Sequence, residues 1–136
     1  MNRRTFNLIL MSLSLFCGGA IYLIFRPETY ISSLFANSPL IKDLRVHFAF
    51  VDCKFVRFYF ADYLWEFSLC CGFIAIFLPK KQNLLKCVAF PFFMGVVWEI
   101  LQYFNLTKGT GDVIDVLMYL FAGITVIFIN IKEKKT

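Results

Sequence analysis

The sequence lacks most of what a soluble catalytic or metal-binding domain is built from. It holds one histidine, His47, in 136 residues. No histidine pair, and so no histidine-based metal motif, is available. The five cysteines are Cys17, Cys53, Cys70, Cys71 and Cys87, with no C-x-x-C spacing, and four lie inside apolar runs. A buried cysteine is a small hydrophobe, so neither a disulfide framework nor a zinc site is expected. No recognised nucleophile motif is present. No cofactor and no bound metal are expected. Charge is also scarce, at 17% of residues, and no stretch reads as a separate soluble module.

What is present is apolar. The chain is 60% hydrophobic and 19% aromatic, with 18 Phe, and its mean hydropathy is +0.71. Ordinary globular chains are roughly 45–50% apolar even with glycine counted. A chain this short cannot hide so much apolar surface from water, so it reads as a single polytopic membrane domain over residues 1–136. The net charge of +5 does not indicate nucleic acid, because no basic helix or stacking motif accompanies it. The cations instead flank the apolar runs, as the positive-inside rule describes.

Four runs are long enough to span a bilayer, at about 6–25, 60–78, 87–104 and 113–131. Twenty residues in a helix cover about 30 Å, the hydrocarbon thickness. The first run follows Arg3 and Arg4 and fits a cleaved signal peptide as well. Its length and the lack of an A-x-A site favour an uncleaved helix, which Arg26-Pro27 ends. Residues 28–59 form a long connection. Within it, 46–58 alternate aromatics with Asp52, Lys54 and Arg57, too charged to span; an interfacial segment is favoured over one that dips back toward the bundle.

Short segments at one end of the four runs carry Arg3, Arg4, Lys80, Lys81, Lys86, Lys132, Lys134 and Lys135, eight cations. The other end carries six, Arg26, Lys42, Arg45, Lys54, Arg57 and Lys108, spread over longer loops. The fold class is therefore all-α, a membrane bundle of four transmembrane helices. Both termini are expected to be cytoplasmic, with the long loop between helices 1 and 2 extracytoplasmic. The localisation that follows is the cell membrane, multi-pass.

That topology gathers the acids. Asp62 and Glu66 are four apart on the second helix and share a face. Glu99 and Gln102 close the third, and Asp112 and Asp115 open the fourth. All fall in the outer halves of the helices, and no acid lies in an inner half. Helix capping explains Asp112 and Asp115 about as well as a site does: Asp112 suits an N-cap and Asp115 its capping-box partner. Gly109 and Gly111 suit a tight turn. Trp65 suits an aromatic belt or a stacking surface, as Tyr63, Trp98 and Tyr103 do. Arg57 and Lys108 suit neutralisation of the acids. Glu66 and Glu99 lie beyond the first turn, where capping cannot use them. Inserting a carboxylate there costs about 2–3 kcal/mol, so each needs a partner or a purpose. The candidate binding residues are thus Glu99, Gln102, Glu66, Asp62, Trp65, Asp112, Asp115 and Arg57.

Arg26-Pro27, Asp62-x-Leu64-Trp65, Glu99-x-x-Gln102 and Gly109-Thr110-Gly111-Asp112-x-x-Asp115 with Tyr119 and Gly123 resemble the VanZ-like family of small bacterial membrane proteins. The chain departs from it at Ala61, where relatives often carry proline, and at Gly111, where they often carry an aromatic. The resemblance implies a role at the cell envelope like glycopeptide-antibiotic resistance of the teicoplanin type, and no mechanism.

Three functions compete. The first is a binding or shielding protein for an envelope component. Its partners would be the bilayer and an envelope lipid or lipid-linked precursor. The second is a membrane enzyme acting on a lipid-linked head group, with Glu66 or Glu99 as general base and a divalent ion held by Asp112 or Asp115. The third is a transporter, which four helices would support only as a homo-oligomer.

Overall fold

A computed structural model of the chain describes residues 2–27 and 30–132. Lys134 and Lys135 of the charge count, with Glu28 and Glu133, lie outside the described residues. Among those described there is no strand, and the architecture is all-α. The helices are α1 (Arg3–Phe25), α2 (Tyr30–Leu34), α3 (Pro39–His47), α4 (Ala61–Phe77), α5 (Leu84–Tyr103) and α6 (Val113–Lys132). Four helical runs are long and apolar enough to cross a membrane: Arg3–Phe25, Phe55–Phe77, Lys81–Tyr103 and Val113–Lys132.

The second run differs from the sequence reading. A π-helical stretch, Phe55–Phe60, leads directly into α4, so the helical rotation starts five residues before Phe60. The wider π turn accommodates a dense aromatic series there, and Phe55 and Tyr59 meet edge-on at 6.3 Å. Within the rest of the connection, the described residues include two short helices, α2 and α3, and a 3-10 turn, Ala49–Val51. Arg45 pins α3 to the end of α1. Its guanidinium donates to Leu23 O at 2.9 Å and to Ser32 Oγ at 2.6 Å, filling a carbonyl that the last turn of α1 leaves without a helical donor.

Helix α4 is central and packs against α1, α5 and α6. Its centre carries small side chains, Cys70, Cys71 and Ala75, all buried. Facing them, Ala122 and Val126 of α6 are buried too, and Leu84 and Val88 of α5 complete the core. Small residues let apolar helices approach closely, which is how packing is gained where no water is expelled. Both cysteines of the pair are thus packing residues.

The end of the bundle where α4 and α6 finish is closed by a polar latch. Asn7 and Asn130 exchange hydrogen bonds, Asn7 Nδ2 to Asn130 Oδ1 at 2.9 Å and Asn130 Nδ2 to Asn7 Oδ1 at 3.1 Å. They are 0% and 1% exposed. Arg3 donates to Asn130 Oδ1 and to Pro79 O, and Arg4 donates to Ala75 O. Arg4 thus occupies a carbonyl of the last turn of α4, which Leu78, in the left-handed region, ends, and Arg3 occupies the carbonyl just beyond it. The opposite end of the bundle is open.

Candidate functional site

At the open end, α1 and α5 finish while α4 and α6 begin. A cleft of about 520 Å³ lies between them. It brings together five of the sequence-derived candidates, Asp62, Glu99, Gln102, Asp112 and Asp115.

Glu99 is the keystone. It is 6% exposed. Its Oε1 accepts from the Tyr119 hydroxyl at 2.7 Å and its Oε2 from the Asp112 amide at 3.1 Å. One carboxylate on α5 therefore ties both the side chain of α6 and the loop that enters it. The contact is possible because Gly95, one turn before Glu99, leaves room for the Tyr119 ring: a Cβ at Gly95 would meet Tyr119 Cδ2 at 2.8 Å.

This changes the roles of the two aspartates. Asp112 does cap α6, its Oδ1 accepting from Ile114 N at 2.9 Å. Its Oδ2 faces the Tyr59 hydroxyl at 3.5 Å. Asp115 does not act as the capping-box partner, because Glu99 has taken the Asp112 amide. Asp115 instead lines the cleft together with Asp62 of α4. The Oδ1 atom of Asp115 is buried and no donor reaches it.

Gln102 donates from Nε2 to Lys108 O at 3.3 Å and so holds the loop between α5 and α6. Gly109 has φ +131°, and a Cβ there would meet Gln102 Nε2 at 2.5 Å. Only glycine fits both conditions. Gly111 is needed for space: a Cβ would lie 2.6 Å from Glu99 O and 2.7 Å from Tyr103 N. The loop therefore lies flat on the end of α5, which is what carries the Asp112 amide to Glu99.

Three candidates are not at the cleft. Glu66 is 4% exposed and lines an apolar groove on the side of the bundle. Its hydrogen-bond partner there is the Cys70 thiol, at 3.5 Å. Trp65 lines the same groove and meets Tyr22 edge-on at 5.9 Å. Arg57 is half-exposed and forms a two-point ion pair with Asp52.

The cleft also contains groups that sequence reasoning did not assign to it. Arg26, read as the end of the first helix, sits over the Tyr22 ring at 4.5 Å and the Phe58 ring at 5.0 Å and lines the cleft. Lys54 lines it as well, beside Lys108, which the sequence reading sets against the acids as a neutralising charge. The cleft is thus mixed in charge, with carboxylates on α4, α5 and α6 and cations from α1 and the two loops. Among the described residues, no three His, Cys, Asp or Glu side chains are grouped as metal ligands would be. No protein-family model, curated protein or solved structure matches this chain.

Proposed function

We propose that the chain is a VanZ-like, multi-pass protein of the cell membrane. On this reading its acidic and aromatic cleft opens at the extracytoplasmic face and binds or shields a polar component of the cell envelope. The observation that carries the reading is the convergence of Asp62, Glu99, Asp112 and Asp115 from three helices on one open cleft. An acid in a membrane span is costly and marks a pathway or site. The orientation follows from the cations: Arg3, Arg4, Lys80, Lys81, Lys86 and Lys132 lie at the latch end, in short segments. The VanZ-like assignment rests on the short motifs alone, and a glycopeptide-resistance role comes with it.

The enzyme reading comes second: Glu66, one of its two general bases, lines the apolar groove, and among the described residues no three acids are grouped as metal ligands would be. The deciding experiment compares strains expressing wild type, Glu99→Gln and Asp115→Asn for teicoplanin susceptibility and envelope-lipid profile. Both variants are expected to shift at least one readout toward the null strain. Wild-type behaviour from both would remove the cleft as a functional site. Labelling of a Lys108→Cys variant in a Cys53→Ser background by an impermeant thiol reagent in intact cells tests the orientation, and protection until lysis would reverse it.

A further inference from the structure

The cleft has an annex. A groove of about 870 Å³ runs down the side of the bundle between α1, α4 and α5, and its walls are almost wholly apolar. Tyr22, Asp62, Trp98 and Tyr119 line both spaces, so the polar cleft and the apolar groove meet around those four side chains. A water-soluble ligand would need only the cleft. The groove's walls belong to helical runs apolar enough to cross a membrane, so its mouth faces hydrocarbon rather than water. Gly19 borders open space in the groove, where a Cβ would meet nothing within 4 Å, whereas one at Gly72 would meet Met11 Sδ at 3.1 Å.

The charges at the polar end select among amphiphiles. Arg26, Lys54 and Lys108 match a phosphate, and Arg26 is held in place between two rings. Asp62 and Asp115 line the cleft together, and the buried Asp115 Oδ1 has no hydrogen-bond partner. A primary ammonium carries three N–H donors and a positive charge, which suits a cleft with two such carboxylates and an acceptor left without a donor. A quaternary ammonium has no N–H to give, and a glycerol head brings hydroxyls without the charge.

We propose that the joined spaces hold one aminophospholipid taken sideways from the bilayer, with one of its two acyl chains in the groove and its phosphate and ammonium in the cleft. The proposal rests on the reading of the cleft as a binding site and names its ligand class and route.

The test reconstitutes the full chain in nanodiscs of equal phosphatidylethanolamine, phosphatidylglycerol and phosphatidylcholine, then reads co-purifying lipid by native mass spectrometry. Wild type is expected to retain phosphatidylethanolamine severalfold over the other two. Gly19→Phe, which fills the groove without touching the cleft, is expected to cut that retention about tenfold, equivalent to about 1.4 kcal/mol. Gly19→Leu replaces it where the larger side chain prevents folding. Asp115→Asn is expected to lower the preference for phosphatidylethanolamine over phosphatidylglycerol toward unity. Equal retention of the three lipids by wild type, or full retention by a folded Gly19 variant, overturns the proposal. If either occurs while Glu99→Gln still alters the cellular readouts, the lipid falls and the binding cleft stands. If Glu99→Gln and Asp115→Asn are also silent in cells, both fall.

Discussion

The bond between Glu99 and Tyr119 is the sharpest test of how the cleft is assembled. Tyr119 donates at 2.7 Å and the Asp112 amide at 3.1 Å, and Glu99 is 6% exposed, so water replaces neither donor well. A hydrogen bond to a charged group is worth about 1.5–3 kcal/mol in soluble proteins. Between helices in a membrane the measured average is about 0.6 kcal/mol and the maximum about 1.7, because separated helices find other partners. The smaller scale governs here, since α5 and α6 remain helical spans when they part. Tyr119→Phe is therefore expected to cost about 1 kcal/mol. Glu99→Gln keeps an oxygen for the Asp112 amide and offers N–H to the tyrosine, for about the same loss. Glu99→Leu strands two donors at once and is expected to cost about 2–3 kcal/mol. In the double variant Glu99→Leu/Tyr119→Phe one of those stranded donors is gone, so the combined loss falls short of the sum by about 1 kcal/mol. Equilibrium unfolding in mixed micelles, followed by tryptophan fluorescence, measures all four species. Additivity within about 0.3–0.5 kcal/mol would refute the coupling.

The latch and the loop give two further outcomes. Asn7→Leu or Asn130→Leu alone leaves its partner's amide buried and unpaired, for an expected loss of about 1–3 kcal/mol in the same unfolding assay. The pair together is expected to lose less than the sum, and strict additivity would show that the two amides act independently. Gly111→Ala places a methyl against the backbone of α5 and is expected to destabilise by about 1–3 kcal/mol through overpacking. Its second readout is hydrogen exchange at the Asp112 amide, which is expected to accelerate as the loop lifts from Glu99; unchanged protection would contradict the packing argument.

The four spans were legible because length and hydropathy are local properties. The acids Asp62, Glu99, Asp112 and Asp115 were legible as a group because they share one end of the bundle. What local pattern could not resolve was rotation and register. Asp62 and Glu66 share a helix face only loosely: four residues add about 40° of turn and about 6 Å of depth. That is enough to put Asp62 at the junction and Glu66 in the groove. Arg57 was read as a partner for the site acids, but its guanidinium pairs with Asp52, five residues back, at the end of the 3-10 turn. Tyr119 reached Glu99 through helix packing, and the one sequence signal for that approach was Gly95 within an apolar run. Arg26 was visible but carried a sufficient ordinary explanation at a helix end. The capping-box reading of Asp115 failed for a similar reason: Asp112 and Asp115 fit the pattern, and only the arrival of Glu99 at the Asp112 amide shows which carboxylate fills the role.

The two ends of the bundle bear on whether such a protein could pass a ligand across. Between the cleft and the latch lies the core of Cys70, Cys71, Ile74, Ala122 and Val126, each 0% exposed. Beyond it Asn7 and Asn130 spend their amides on each other and on the backbone carbonyls of Arg3 and Val126. Opening a path there would expose the amides, separate α1 from α6 and release Arg3 and Arg4 from the end of α4. Those groups are coupled, so the opening is a cooperative event with several hydrogen bonds lost together. The cleft needs no such event, because it opens at its own end and along the groove. A ligand held by Asp62 and Asp115 can therefore arrive and leave without disturbing the latch. Under the proposed reading the ligand is therefore retained at one face rather than passed across, and the latch supplies the base against which α5 and α6 position the carboxylates.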